Sequence, residues 1–405
     1  MSAFNRAIDV EIDRVSWRAQ PTEFRHPLPR PLAAQAGPFA IHLLEMLLRI
    51  GDLTTPVLNI QSGVARLWPL LRYLHAIADT PHLRFRQGWR DVDPHQKAIA
   101  SDDLGVGLGM SVLYNAFGYA GCIDGRAFLH RMHNLGLLAF PGGLPPKVGS
   151  MKMADFAAVD QRGKFHIIEV KGTQSSRAAL AKAMLDGQYQ KRSLVCATPA
   201  GERRLIGQRI VVGTALTLES NARGAEVIVM DPAPDEDEAV SLASRVSQQE
   251  LREPAIRMQV SRLLGAAGAF RTSVAISEVD EPLGAPALEG PGQRDRVQAA
   301  IRDDDARLTS FQASGETWRG EEIVAPLLAP LLAGDRIYRR ARVRQGISEM
   351  LFRDLQEGGG RTAFFQDAYP SVAQRLSAPK VDSGEAYAVL VRPSISLSSV
   401  ELLEA

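Results

Sequence analysis

Residues 153–171 restrict the fold of this chain more than any other stretch, because they predict two strands joined by a tight turn. Residues 153–159 (MADFAAV) predict the first strand, and residues 164–171 (KFHIIEVK) are rich in β-branched and aromatic side chains. The four residues between them, DQRG, are typical of a hairpin turn. A β-sheet is therefore expected near the centre of the chain.

Two carboxylates of this hairpin lie on neighbouring strands. Asp155 is in the first strand and Glu169 is in the second, so their side chains can converge at one edge of the sheet. Mg²⁺ prefers oxygen ligands, and one or two carboxylates completed by water and phosphate oxygens are its usual set. The backbone carbonyl of Val170 offers a further oxygen. Asp155, Glu169 and Val170 are thus candidate ligands of a divalent cation.

Lys171 follows Glu169 by two positions, so both side chains point to the same face of a strand. An ammonium beside a metal site can position a water and stabilise developing negative charge. Glu169 is also set among Ile167, Ile168 and Val170, where a carboxylate without a cation is costly. The alternative is a surface pair of Glu169 and Lys171 on an ordinary hairpin. It is disfavoured because the strand is apolar on both faces.

The segment after the hairpin predicts a helix and further strands. A serine at position 175 or 176 is the expected N-cap of a helix that runs to about residue 192. Leu180, Met184 and Gln188 lie on one stripe of this helix, so Gln188 is expected to face inward and to need a partner. Three strand candidates follow, and together these elements predict a mixed α/β sheet.

The pattern AD-x₁₃-EVK, formed by residues 154–155 and 169–171, resembles the motif of the PD-(D/E)xK superfamily, the restriction-endonuclease-like nucleases. The resemblance covers roughly residues 100–230, and Ala154 stands where the motif has proline. It implies an α/β fold with a restriction-endonuclease-like mixed-sheet core. In that fold Asp155 and Glu169 bind the metal, Lys171 assists catalysis, and Gln188 lies beside the site.

The same resemblance implies a further metal-binding acid on a helix that precedes the hairpin. Asp103 is the candidate, and Asp102 is the next choice. The sequence predicts this helix from about residue 102 to residue 119, with Ser101 as its N-cap. Both acids would then lie in the first turn, where acids favour the helix dipole without any catalytic role. Both explanations stay open.

For the whole protein the resemblance implies Mg²⁺-dependent hydrolysis of DNA phosphodiester bonds, with Mn²⁺ as a substitute cofactor. The expected setting is a cytoplasmic bacterial nuclease of restriction or antiphage defence. Its candidate partners are DNA, proteins of a defence or repair system, and a second copy of the chain. Two alternatives stay open. One is a non-catalytic nucleic-acid-binding or assembly subunit with a nuclease-like fold, and the other is the nuclease subunit of a transposition or repair complex.

The composition is that of a soluble globular protein with more than one domain, since 45% of the 405 residues are hydrophobic and 23% are charged. A net charge of +1 gives no global attraction to nucleic acid, but residues 147–192 hold nine lysines and arginines against four acids. The two cysteines, Cys122 and Cys196, are too few for a disulfide scaffold or a Cys-based zinc module. Neither a secretory signal nor a membrane partner is expected.

Four consecutive regions are expected from the pattern of elements. They are a helical N-terminal region at 1–100, the nuclease-like core at 101–230, an acidic linker at 231–238, and a mostly helical C-terminal region at 239–405. The last region contains an arginine-rich run at 335–344. If this run is helical, its arginines share a face and can track a phosphate backbone. The alternative is a solvated, acid-paired surface.

Glycines and tryptophans outside the hairpin predict packing more than binding. Gly105, Gly107 and Gly109 resemble a phosphate loop only superficially, because no strand precedes them, so close helix packing is the preferred interpretation. Trp68 and Trp89 are expected in the core rather than at a nucleic-acid surface.

Overall fold

The computed structural model describes most of the chain. The described residues are 3–18, 26–55, 66–139, 154–191, 194–196, 201, 204–231, 240–242, 247–277, 291–358, 376 and 379–404. They form two compact units, each assembled from separated segments. The mixed-sheet unit comprises Arg6–Ile41 and Ala76–Ala255, and the antiparallel-sheet unit comprises Met1–Asn5, His42–His75 and Ile256–Ala405. Within the described ranges, none of the helices combines the length and the apolar composition that a membrane crossing requires.

A seven-stranded sheet is the centre of the mixed-sheet unit. Its strands, numbered in chain order, are β1 (Asn5–Ile12), β2 (Gly37–His42), β3 (Gly121–Asp124), β5 (Phe156–Val159), β6 (Phe165–Thr173), β8 (Ile206–Ala215) and β9 (Glu226–Met230). The order is β2-β1-β9-β8-β6-β5-β3. The pairs β1–β9 and β6–β8 are parallel, whereas β3–β5, β5–β6 and β8–β9 are antiparallel. The predicted mixed α/β sheet is therefore present.

The rest of this unit consists of a small sheet and short helices. The small sheet has the order β4-β10-β7, formed by β4 (Leu138–Ala139), β7 (Leu194–Cys196) and β10 (Val240–Leu242). The helices are α1 (Arg14–Arg18), α2 (Arg30–Ala33), α5 (Pro94–Phe117), α6 (Gly125–Asn134) and α7 (Arg177–Lys191), with a 3₁₀ helix at Gln87–Asp91.

Helix α5 packs closely on one face of the seven-stranded sheet because it presents glycines to the strands. A Cβ on Gly105 would lie 3.3 Å from the Cα of Gly172, and a Cβ on Gly109 would lie 2.9 Å from the side chain of Val212. A larger residue would crowd the backbone of β6 at Gly105 and the Val212 side chain at Gly109. The prediction of close helix packing is confirmed for these two glycines.

Helix α7 packs on the opposite face. Its Leu180 and Met184 form an apolar cluster with Val211. Side chains alternate along a strand, so Val211 and its neighbour Val212 point to opposite faces of the sheet. Helix α5, the sheet and helix α7 therefore make three layers. The predicted N-cap of α7 is also confirmed, since the Ser176 hydroxyl accepts a hydrogen bond from the Ala179 amide at 3.0 Å.

The antiparallel-sheet unit combines helices with six strands. The helices are α3 (Leu43–Thr54), α4 (Trp68–Tyr73), α8 (Gln248–Ala266, in this unit from Ile256 onward), α9 (Phe270–Ser277), α10 (Pro291–Asp305) and α11 (Glu349–Gly358). The strands are β11 (Thr309–Ala313), β12 (Glu316–Ala333), β13 (Arg336–Ser348), β14 (Lys380–Ser383), β15 (Tyr387–Arg392) and β16 (Ser396–Glu404), in the order β11-β12-β13-β16-β15-β14. Its core includes Val260, Leu264, Ile347 and Leu351.

The expectation of a mostly helical C-terminal region is wrong, because residues 309–404 contain these six strands. The arginine-rich run lies on β13, where Arg342 pairs with Glu322 and Glu401. The acid-paired surface is therefore the alternative that the structure shows. Ala341, Val343 and Gln345 are buried at every second position, which is the period of a strand. The charged residues between them conceal this period in the sequence.

The expected helical N-terminal region is also wrong in part. Strands β1 and β2 come from the first hundred residues and belong to the seven-stranded sheet, so the compact units cut across the predicted boundaries. Ser101 is not an N-cap, because α5 begins at Pro94 and the Asp93 side chain caps it. Trp68 is 52% exposed and is not a core residue. The predicted acidic linker lies outside the described residues except for Asp231, which is buried.

Candidate metal-binding site

The predicted hairpin forms as expected and brings Asp155 to the edge of β6. Phe156 pairs with Ile168 in the antiparallel register of β5 and β6, so Asp155 lies opposite Glu169. The Asp155 Oδ2 atom accepts a hydrogen bond of 2.8 Å from the backbone N–H of Val170. The carboxylate thus takes the place of a ladder partner immediately before β5 begins at Phe156.

Glu169 and Lys171 lie on the face of β6 that carries α7. The Lys171 Nζ donates a hydrogen bond to the Glu169 Oε1. The side chain of Glu169 is 0% exposed and that of Lys171 is 26% exposed, so the ammonium connects a buried carboxylate to the solvent. A Cβ on Gly187 of α7 would lie 3.2 Å from both the Glu169 Cγ and the Lys171 Cε. Helix α7 therefore covers these side chains where it has no side chain of its own.

The second carboxylate oxygen of Glu169, Oε2, is buried and makes no hydrogen bond within the described part of the chain. An unsatisfied buried acceptor costs about 1–3 kcal/mol, and more when it is charged. A divalent cation between Glu169 and Asp155 would satisfy it with the hard oxygen donors that Mg²⁺ prefers. Among the described residues, no group of three or more His, Cys, Asp or Glu side chains is placed to hold a metal. Two carboxylates plus water and substrate oxygens are the donor set that fits.

The electrostatics of the two carboxyl groups are coupled. The pKa of Glu169 is raised to about 8, chiefly by burial and then by the nearby charge of Asp155, while Lys171 and a hydrogen bond from the Asp155 backbone act in the opposite direction. Burial also raises the pKa of Asp155, against the Val170 N–H and Lys171, which lower it. Two adjacent carboxylates with raised pKa values share a preference for a proton or a cation between them. The arrangement is therefore suited to binding a divalent ion.

Helix α5 brings a third acid into the field of this pair. Partial desolvation raises the pKa of Asp102, Lys171 lowers it, and Asp103 raises it. The charge of Asp102 in turn raises the pKa of Asp155. Since α5 begins at Pro94, both acids lie in its third turn, and the helix-dipole explanation of their positions is wrong. Asp102, the second candidate, is thus a helix acid whose charge acts on Asp155 and interacts with Lys171. The choice between Asp102 and Asp103 as a metal ligand stays a prediction.

The other candidate positions have more limited support. Val170 takes part through its N–H, which binds Asp155, whereas the sequence argument concerned its carbonyl. Gln188 belongs to α7 and directly follows Gly187, but its side chain lies outside the described residues.

One bridge at the site was not predicted from the sequence. The Trp89 Nε1 donates to the Gln174 Oε1 at 2.9 Å. The Gln174 Nε2 donates to the Lys97 carbonyl at 2.8 Å and to the Ser101 Oγ at 3.0 Å. These bonds tie the end of β6 to the first turns of α5, next to Asp102. No local pattern signals them, because Trp89 and Gln174 are 85 positions apart.

Comparison with known proteins adds no relative: no protein-family model matches the chain, and no curated protein or solved structure matches it.

Proposed function

We propose that this chain is a Mg²⁺-dependent nuclease that hydrolyses DNA phosphodiester bonds. One observation carries the proposal. Within the described residues, the buried carboxylate of Glu169 has an oxygen without a hydrogen-bond donor, and the carboxylate lies between Asp155 and the partly exposed ammonium of Lys171. The motif that resembles the PD-(D/E)xK nucleases, and the mixed sheet on which it stands, support the same conclusion. A restriction-endonuclease-like fold is part of this proposal.

The residues have separate roles in the proposed reaction. Asp155 and Glu169 hold the cation, which supplies Lewis acidity toward a phosphate and a water. Lys171 reaches solvent from the buried Glu169, so its ammonium can orient the attacking water and offset the charge that develops on the phosphate. Asp102 adds negative charge from the other side of the strand and strengthens the attraction for the cation.

The biological setting is proposed by analogy with the nucleases that the motif resembles. Their products carry a 3′-hydroxyl and a 5′-phosphate, and Mn²⁺ commonly replaces Mg²⁺. Restriction or antiphage defence in the bacterial cytoplasm is the proposed role, with partner proteins or a second copy of the chain contributing target selection.

Cleavage of supercoiled plasmid in Mg²⁺ or Mn²⁺ tests the proposal. Asp155→Ala, Glu169→Gln and Lys171→Ala should each lower the rate by at least ~100-fold, because each removes a charge from the reacting centre. Arg162→Ala is the control. It removes an exposed positive charge from the hairpin turn, at the other end of the strands, and should cleave like the wild type.

Two results would contradict the proposal. Equal cleavage by Asp155→Ala and the wild type would exclude this site. Binding of DNA by a folded wild type, with no cleavage in any divalent metal, would instead identify a non-catalytic nucleic-acid-binding subunit.

A further inference from the structure

We propose that Arg86, Arg90 and Arg223 form a basic edge that binds the phosphodiester backbone of duplex DNA beside Lys171. The inference rests on the proposed function and deepens it, since it says where the substrate lies. The basic edge is defined by these three residues.

The basic edge lies where β6 and β8 end. The Leu216 amide donates to the Thr173 carbonyl at 2.8 Å, and the Phe85 amide donates to the Thr217 carbonyl at 2.8 Å. The segment before Arg86 thus extends the sheet beyond the end of β8. Arg223 joins this segment, because the Arg84 guanidinium donates to the carbonyls of Ala222 and Arg223.

The basic edge is close to the proposed reacting centre. The bond from Trp89 to Gln174 attaches the segment to a residue only three positions beyond Lys171. Three residues of extended chain span on the order of 10 Å. Duplex DNA rises 3.4 Å per base pair, so this length corresponds to about three base pairs. A duplex with one phosphate at Lys171 can therefore reach the basic edge with neighbouring phosphates.

The segment that carries Arg90 is held in place although it is exposed. The ring of Trp89 stacks on Phe85, with centroids 4.8 Å apart and planes inclined by 5°. The Gln87 amide donates to Glu219, and the Lys97 ammonium donates to the Arg90 carbonyl. A cation on a fixed backbone loses less freedom when it binds a ligand.

The three guanidinium groups are available to an anion. All three residues are exposed, and none of their side chains makes an ion pair or hydrogen bond within the described ranges. Nearby carboxylates are engaged elsewhere: Glu219 accepts from the Gln87 amide, and Asp93 caps α5. Asp91 is the remaining exposed acid of the segment.

The charge of Arg86 is also close to another cation. The pKa of Arg6 is lowered, and burial is the largest cause. Its partner Asp79 raises the pKa, and the charge of Arg86 adds to the lowering. Like charges held near each other favour an anionic ligand between or beside them.

A polyanion needs such a basic edge at this site. Asp102, Asp155 and Glu169 outnumber Lys171 among the charged groups of the centre, so without a cation they repel phosphates. Flanking arginines offset that repulsion and position the backbone. Phosphate contacts of this kind orient a duplex and carry no sequence information. Trp89 does not offer a free stacking face on its Phe85 side and its N–H is already bonded, which favours contact with the backbone over contact with bases.

Equilibrium binding of a fluorescein-labelled duplex to the full chain in EDTA tests the basic edge without cleavage. The Arg86→Ala/Arg90→Ala/Arg223→Ala variant should raise Kd by at least tenfold. Each phosphate contact contributes about 0.9 to the slope of log Kd against log salt, so the slope should fall by up to about 2.7. Arg162→Ala removes another exposed arginine, at the far end of the hairpin, and should match the wild type.

The outcomes separate this inference from the proposed function. A triple variant with the Kd and salt slope of Arg162→Ala would overturn the basic edge, even if the wild type cleaves DNA. Failure of the wild type to bind the duplex would overturn it as well. A wild type that binds through the three arginines but never cleaves would support the basic edge and refute the nuclease.

Discussion

Glu169 is the residue whose protonation should be visible in the stability of the protein. Its pKa is about 8 in the fold, above the ordinary 4.5, mainly because of burial. Between these pH values the folded state holds a proton that the unfolded state has released. The stabilisation is complete below pH ~4.5 and is lost as the pH rises toward ~8, by up to about 1.4 kcal/mol per pH unit.

We therefore expect the melting temperature of the metal-free protein to fall between about pH 5 and pH 8 more steeply in the wild type than in Glu169→Gln. Thermal unfolding in EDTA measures the difference. Asp186→Asn removes an exposed carboxyl from α7 and should keep the pH profile of the wild type. Parallel profiles for the wild type and Glu169→Gln would show that the carboxyl is not protonated in the fold.

Trp89 and Gln174 allow a second prediction at the same scale. Trp89→Phe keeps a ring on Phe85 and removes only the N–H that binds Gln174. A hydrogen bond of this kind contributes about 0.5–1.5 kcal/mol, so Kd for duplex DNA should rise by up to about two- to twelvefold as Arg90 loses its fixed position. Gln174→Leu removes three bonds and should have a larger effect.

Trp68→Phe is the control for this pair, since Trp68 is 52% exposed and belongs to the other compact unit. It should leave the Kd unchanged. If Trp89→Phe and Gln174→Leu also leave it unchanged, the bridge does not hold the segment for binding.

The candidate site could be predicted from sequence only where its residues are neighbours along the chain. Asp155, Glu169 and Lys171 share one hairpin, so strand alternation and a tight turn were enough to bring them together. The helix acid could be narrowed to two adjacent positions, with Asp103 ranked before Asp102. The bridge from Trp89 to Gln174 depends on how α5 meets β6, which no local pattern encodes.

Helix α7 can approach Glu169 and Lys171 closely because Gly187 has no side chain. A Cβ at Gly187 would already be 3.2 Å from the Glu169 Cγ and the Lys171 Cε. Gly187→Val should displace both side chains and lower the cleavage rate by at least ~10-fold, since a shift of about 1 Å at a reacting centre can cost more than that. A plasmid-cleavage time course measures the loss.

Ala181→Val places the same β-branched side chain at an exposed position of the same helix. It should keep the wild-type rate although it lowers helix propensity, which Gly187→Val does not, because it does not touch the site. Cleavage by Gly187→Val at the rate of Ala181→Val would mean that the close approach of α7 does not matter.

Elements were predicted well where apolar periodicity is clear and poorly where charge conceals it. The hairpin and α7 were found within a few residues of their ends. The predicted start of α5 is several residues too late, because Ser101 resembles an N-cap although Asp93 provides the cap. The sequence predicts a helix where β13 lies, because the arginines of β13 stand between buried positions and conceal their period of two.

Each compact unit is built from separated segments of the chain, so truncation at a single position should not yield one intact unit. Helix α3 lies in the first sixty residues but belongs to the antiparallel-sheet unit, most of which follows residue 255. Its buried side chains include Leu44, Leu47 and Leu48. Each buried side chain of this size contributes about 1.5–3 kcal/mol when packed. A fragment ending at residue 255 should therefore aggregate, as sedimentation and dye binding can show.

Replacing Leu44, Leu47 and Leu48 with glutamine in that fragment should restore solubility, because the exposed apolar face is then removed. The same replacements in the full chain should destabilise it. A soluble, monomeric fragment without the replacements would contradict the interleaved arrangement. Consecutive domain boundaries were predicted from sequence because no pattern within β1 indicates that it pairs with β9.

The parallel pairing of β1 with β9 delays completion of the seven-stranded sheet during synthesis of the chain. The Asp9 position meets Glu226, so the first strand must wait for a partner made more than two hundred residues later. At about 5–20 residues per second this wait is on the order of 10–40 s. Until β9 has been made, Asp155, Glu169 and Lys171 lie on an incomplete seven-stranded sheet. If the proposed nuclease activity needs the complete sheet, nascent and prematurely terminated polypeptides should not cleave DNA.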